Sequence, residues 1–270
     1  MVLSTKLGIR ILDLYFDEIA PSSVGVDVVR WTQAPRQLPR AKCTPFTTLL
    51  VDLSLPAEAL LAQMKKQTRY EIRRASEKDE LLYEAPSSSS PEVIATFADH
   101  FDRCAELKGM GKASRERLAI LAGHDAVGFS FMRDKSGDIL VSNCYVVTPL
   151  RVRMLHTASV FRAVREPERR ALVGRASRLL LWRDLLRYQQ ADVRVFDFGG
   201  WYSGQTDQEK LRINAFKESF GGQLSNEWNC ERALTLRGAA VLIGLRGRHK
   251  VLEATARRRS AALAAAVGGD

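Results

Sequence analysis

Apolar and polar positions alternate in several stretches and recur at helical spacing in others, and the two periods divide the chain. Three strands are predicted over about 127–133, 139–147 and 151–161, separated by the turn segments Asp134–Asp138 and Thr148-Pro149. Thr47–Ser54, "TTLLVDLS", reads as a buried strand, and Pro56 opens a helix after it. Helical spacing covers about 91–108, with Ser90 placed to cap it, then 114–122 and 168–190. Leu179, Trp182 and Leu186 share one face of the last of these. A strand from Val193 to Phe198 follows. The next helix is expected to be capped by Thr206, with Glu209 three residues on, and to end at Phe220; a strand near 223–231 comes after it. A basic helix over about 236–262 closes the chain. Prolines 21, 35, 39 and 45 make the first 45 residues look irregular. The expected organisation is therefore an irregular segment over 1–45, a folded domain over 46–232 and a basic helical tail over 233–270. A three-stranded meander followed by strand, helix, strand requires a parallel crossover, so the expected class is α/β (α+β) with a mixed central sheet flanked by helices.

Composition adds a partner class and removes others. The 270 residues carry a net charge of +10, which points to an anionic partner such as a phosphorylated molecule, nucleic acid or an anionic lipid surface. Aromatic residues are only 8%, and no stacking motif for single-stranded RNA is visible. Cys43, Cys104, Cys144 and Cys230 lie far apart without metal-ligand spacing, so four reduced, buried thiols are expected. The four histidines form no metal motif, and no metal is expected. No signal-peptide pattern opens the chain, so a cytoplasmic protein is expected.

Candidate chemistry concentrates in two places. In "VRVFDFGGWYSGQTDQEKLRINAFKESFGG", residues 193–222, Asp197 stands at the carboxyl end of a strand just before Gly199-Gly200. Lys217 stands on the following helix, away from the face formed by Ile213, Phe216 and Phe220, and Gly221-Gly222 stops that helix. Asp197 can be a site carboxylate or a helix cap, and Lys217 a site ammonium or a solvated helix-end charge. The second place is "LLAQMKKQTRYEIRRASEKDE". On a continuous helical wheel Leu61, Met64, Thr68, Ile72 and Ala75 form a narrow apolar stripe. Lys66, Arg69 and Arg73 form a row of cations beside it. That row suits a diphosphate, because guanidinium forks match phosphate oxygens; a solvated basic face is the alternative.

The order of elements, a meander feeding a parallel crossover, is similar to that of the N-acyltransferase (GNAT) fold. Several motifs carry a closer likeness: Asp52-Leu53 at a strand end, Lys66 to Ala75 (K-x-T-R-x-x-I-R-x-A in outline), Asp197 to Gly200, and Phe216 to Gly221. Together, over roughly 45–232, they resemble the Fem-type (FemAB/FemX-like) aminoacyltransferases of GNAT fold, which build peptidoglycan interpeptide bridges. The resemblance implies transfer of an acyl or aminoacyl group to an amine of a phosphate-bearing cell-envelope or polysaccharide precursor, soluble or lipid-linked. The donor it implies is acyl-CoA (acetyl-CoA) or aminoacyl-tRNA, so tRNA is an expected partner. By motif position Lys66, Arg69 and Arg73 would contact acceptor phosphates. Gly199, Gly200 and Phe216 would line the substrate site. Lys217 would stabilise developing negative charge, and Asp197 would shape the site or handle a proton.

The chain departs from the pattern in three respects. It has room for one GNAT-like half where Fem enzymes have two, and it lacks their coiled-coil arm. The Q/R-x-x-G-x-G/A loop of acetyl-CoA enzymes is met only partly by Gly174 and Ala176, since Arg170 comes one residue too early. Gly174 and Arg175 are the expected cofactor contacts on the condition that a helix starts there and opens its N–H groups to an anion. The C-terminal basic helix is expected to make a peripheral contact with an anionic surface. The rival reading is a non-catalytic protein of the same fold that binds RNA, an anionic polymer or a membrane surface.

Overall fold

The computed structural model describes residues 1–6, 8–20 and 25–244. In chain order its elements are β1 (Val2–Lys6), β2 (Ile9–Tyr15), β3 (Val28–Ala34), β4 (Lys42–Asp52), α1 (Ala57–Gln63), α2 (Lys66–Lys78), β5 (Leu82–Glu84), α3 (Pro91–Glu106), α4 (Arg115–Ala122), β6 (Val127–Arg133), β7 (Ile139–Val147), β8 (Arg151–Ser159), a 3₁₀ turn (Val160–Arg162), α5 (Pro167–Gln190), β9 (Val195–Gly200), α6 (Gln208–Glu218) and β10 (Gln223–Ala233). They form two compact units.

The first unit comprises Leu3–Thr44 and the residues from Trp228. It corrects the expectation of an irregular N-terminal segment. β2 and β3 pair in parallel, Ile11 against Val28, and β3 pairs antiparallel with β10, Trp31 against Cys230. The prolines that suggested irregularity fall outside these three strands, while "IRILDLY" keeps six of its seven residues buried. Arg30 donates to both oxygens of Asp13 at 2.6 and 2.8 Å across the parallel pair. The cysteines need a second correction: Cys43 and Cys230, 187 positions apart, are joined in a disulfide. Sequence spacing carried no signal for it, because the fold alone brings their Cα atoms to 4.1 Å. Cys104 and Cys144 remain free and buried, and burial pushes both thiols up. Residues 236–244 are helical; the rest of the expected basic helix, from 245 on, lies outside the described residues.

The second unit, Pro45–Glu227, holds the mixed sheet in the order β4-β9-β8-β7-β6-β5. The meander is antiparallel throughout, and α5 carries the chain from β8 to a parallel β9. This is the mixed α/β architecture that the pattern predicted. The core between sheet and helices is formed by residues such as Val152, Leu180, Leu185, Phe196, Phe198 and Phe220. The last three rings meet in series, at 5.1 and 5.5 Å between centroids. Burying one such side chain stabilises by about 1.5–3 kcal/mol.

α5 is also pinned by a polar contact. Asp184 is fully buried and accepts hydrogen bonds from Tyr83 (2.9 Å), Ser130 (2.7 Å), Asn143 (3.1 Å) and Tyr145 (2.5 Å). Desolvation raises its carboxyl above the ordinary range even with those four donors.

Two local expectations change. The wheel over Leu61–Ala75 assumed one helix, but the chain breaks at Met64 and Lys65, both extended, between α1 and α2. The Lys65 N–H donates to the Ser219 carbonyl at 2.9 Å, which takes the place of an intrahelical bond. Thr68, Ile72 and Ala75 nevertheless form the buried stripe of α2. The cap of α6 is Asp207, accepting from the Lys210 N–H at 3.1 Å, and not Thr206. Asp207 is one residue nearer the helix, and its carboxylate reaches the N–H three residues on, as a cap must.

Candidate active site

β8 and β9 pair only over Arg151–Arg153 and Val195–Asp197. β8 then runs on to Ser159 and β9 to Gly200 with no further ladder between them among the described residues. Each strand keeps its outer partner: β8 stays on β7, and β9 on β4. A parting of two parallel strands at their carboxyl ends is where an α/β sheet offers backbone groups to a ligand.

Asp197, Gly199 and Gly200 occupy that end. Asp197 is wholly buried. One carboxylate oxygen accepts the Gly199 N–H at 2.7 Å and the Thr48 hydroxyl; the other accepts Arg151 at 2.7 Å. Gly199 has φ of +70°, which favours glycine, and a β-carbon there would stand a tight 3.0 Å from the Met154 carbonyl oxygen.

Lys217, on α6, reaches back to the same turn. Its ammonium donates to the Gly200 carbonyl at 2.5 Å and to the Gly199 carbonyl at 3.3 Å. Burial pushes Lys217 down to about 8, with the Asp197 charge opposing and the Arg153 charge reinforcing that fall. Phe216 packs on Phe220 at 5.5 Å and carries Arg178 over its outer face at 5.2 Å. Gly200 also lines a cavity of about 320 Å³ with Trp201, Tyr202, Lys210, Ile213 and Asn214.

The row of cations on α2 faces a larger cavity of about 690 Å³, walled by Leu61, Ile72 and Trp182 and lined by Lys66, Arg69, Arg73 and Arg183. Arg69 is partly committed, since it donates to the Met64 carbonyl at the break before α2. The two places adjoin: Lys65 binds Glu218 at 2.6 Å, one residue from Lys217.

The expected cofactor contacts do not assemble. α5 starts at Pro167, so Gly174 lies well inside the helix, where backbone N–H groups are used by the helix itself. Arg175 holds Asp79 with two hydrogen bonds, at 2.5 and 2.9 Å. The condition on which both residues were named, a helix starting near 174, is not met.

Arg151, Thr48, Glu227 and Arg183 were not foreseen. The two arginines of "RVR" at 151–153 share one face of a strand by simple alternation, and that was a usable signal. Nothing local marks Thr48 or Glu227.

No protein-family model and no curated protein matches the chain. Solved structures do. FemX superposes with a TM-score of 0.56 at 14% identity, over 70% of this chain and 61% of FemX. The C-terminal DUF2156 domain of a putative lysylphosphatidylglycerol synthetase from Agrobacterium fabrum superposes with a TM-score of 0.53 at 14% identity, over 81% of this chain and 71% of that one. The chain thus has a Fem-like fold of GNAT type, and it spans less than two thirds of the length of FemX. No helix among the described residues is long and apolar enough to cross a membrane.

Proposed function

We propose that the chain is an N-acyltransferase that moves an acyl or aminoacyl group to an amine of a phosphate-bearing acceptor. One observation carries the reading: a half-buried ammonium, Lys217, is seated on the carbonyls of Gly199 and Gly200 where β8 and β9 part. An acceptor amine would attack the donor carbonyl there, forming the C–N bond and a tetrahedral oxyanion. Lys217 would stabilise that charge. Collapse would expel the donor's thiolate or ribose oxygen, which leaves with a proton shed by the attacking amine. The acceptor's phosphates would sit on Lys66, Arg69, Arg73 and Arg183 in the cavity beside α2.

Between the two donors, the start of α5 favours aminoacyl-tRNA. A diphosphate such as that of CoA needs open N–H groups and a positive helix end. α5 begins with Glu166 at its cap, Pro167 without an N–H, and Glu168 in its first turn. Two carboxylates and a missing donor oppose an anion at that place. Charged tRNA is made in the cytoplasm, so this reading places the chain where the Cys43–Cys230 pair would be held reduced.

The experiment is a transfer assay with purified protein, phosphate-bearing amine acceptors from a small-molecule extract, and either charged tRNA bearing a labelled amino acid or a set of acyl-CoAs. Label moving from tRNA to an amide-linked, phosphate-bearing product is expected. Transfer from neither donor would overturn the proposal; release of CoA thiol alone would reverse the choice of donor.

A further inference from the structure

Where the ladder between β8 and β9 stops, something else must hold the end of β9 in place on that side. Arg151 is the group in position to do it. Its guanidinium, 12% exposed, binds Glu227 through two nitrogens at 2.8 Å each and Asp197 at 2.7 Å. Asp197 in turn holds the Gly199 N–H and the Thr48 hydroxyl, and that hydroxyl also lies 2.9 Å from the Gly199 carbonyl. The Gly199 carbonyl is one of the two on which Lys217 sits. A continuous set of bonds thus runs from Glu227 and Arg151 through Asp197 and Thr48 to Gly199 and Lys217.

We propose that Arg151 is a positioning residue: it clamps Asp197 against the Gly199-Gly200 turn, and the turn, so held, seats the Lys217 ammonium in the transferase site. Asp197 then serves geometry and not proton transfer, since both its oxygens are engaged and none of its surface is open. Arginine is required because one planar fork spans two carboxylates, which the single point charge of lysine cannot do. The role of Lys217 rests on the acyl-transfer reading; the clamp is a property of the folded chain and is measured without any substrate.

The test is competitive acetylation of the full-length protein with isotope-coded acetic anhydride from pH 6 to 11, with the Lys217 peptide followed by mass spectrometry. In the unaltered protein Lys217 should titrate near 8. Thr48→Val removes the hydroxyl without changing charge, and Arg151→Lys keeps the charge without the fork. Each should loosen the turn, let water reach Lys217 and raise its midpoint by about one unit or more toward the free-lysine value. One unit means labelling at pH 8 about fivefold slower. Thr48→Ser should restore the normal midpoint. An unchanged midpoint in folded Arg151→Lys overturns the proposal; if that variant does not fold, an unchanged midpoint in Thr48→Val, which cuts the same network at its other end, overturns it, whether or not acyl transfer is found. The expected shift in a protein that transfers no acyl group supports the clamp and removes only the enzymatic reading.

Discussion

The two basic regions of the second unit are built on opposite principles. At the end of β9, Arg151 is withdrawn from water and Lys217 is half-buried, and each is tied to named oxygens at 2.5–3.3 Å. On α2, Lys66, Arg69 and Arg73 are exposed around an open cavity. A desolvated charge acts strongly on what is brought to it, and it is costly to misplace. A solvated charge acts weakly at each point and attracts from a distance. The first arrangement suits a reacting carbonyl and the second suits capture of a phosphate.

The contrast can be tested at its strongest point by Arg151→Met. It leaves Asp197 and Glu227 buried opposite an apolar side chain, so unfolding in urea should show a loss of about 3–5 kcal/mol. Arg73→Met on α2 should stay within about 0.5 kcal/mol by the same measurement. Equal effects at the two sites would erase the distinction. Lys217→Met comes next: kcat should fall about a hundredfold or more, with little change in melting temperature. A small loss of stability with full kcat would make Lys217 a helix-end charge of about 0.3–1 kcal/mol.

pH separates the roles further. Lys217 sits near 8 in the folded chain, below its free value of 10.5. As pH rises through 8 the charged form is lost, so kcat should drop by about tenfold per unit above that point. The sign for stability is opposite. The unfolded chain holds the proton longer, so the cost of burying the charge is full below 8 and is relieved between 8 and 10.5. A kcat flat across this window would remove the charged lysine from the mechanism. The smallest effects belong to α2: Lys66→Ala, Arg69→Ala and Arg73→Ala should each raise the acceptor KM about tenfold, leave kcat unchanged and reduce salt sensitivity. Three unaltered KM values would return α2 to a plain solvated face.

Much of the second unit was legible because its signals are local. β6 and β7 begin and end where alternation and the DKSGD turn place them. Gly199 and Gly221-Gly222 do adopt positive φ, so the stops that drew attention to Asp197 and Lys217 are real backbone requirements. What was not legible depends on distant partners. The break between α1 and α2 is invisible on a wheel, since the apolar stripe runs straight through it; at the break the Lys65 N–H is bonded to the distant Ser219 carbonyl. Asp197 was found, but its meaning was not, because Thr48, Arg151 and Glu227 come from three other strands. The N-terminal strands were hidden by prolines that lie between them and by a disulfide whose halves frame most of the chain.

That disulfide also changes what kind of object the second unit is. Residues 45–227 all lie inside the loop that Cys43 and Cys230 close. In the oxidised chain they form a covalent ring, a domain inserted between two points whose Cα atoms are 4.1 Å apart. Its disordered state is therefore a closed loop and not an open coil, and the configurations lost by that closure are worth about 5 kcal/mol in a chain-entropy account. What oxidation alters is the number of ways the unit can be unfolded, so a reductant would shorten the life of the fold without touching Lys217.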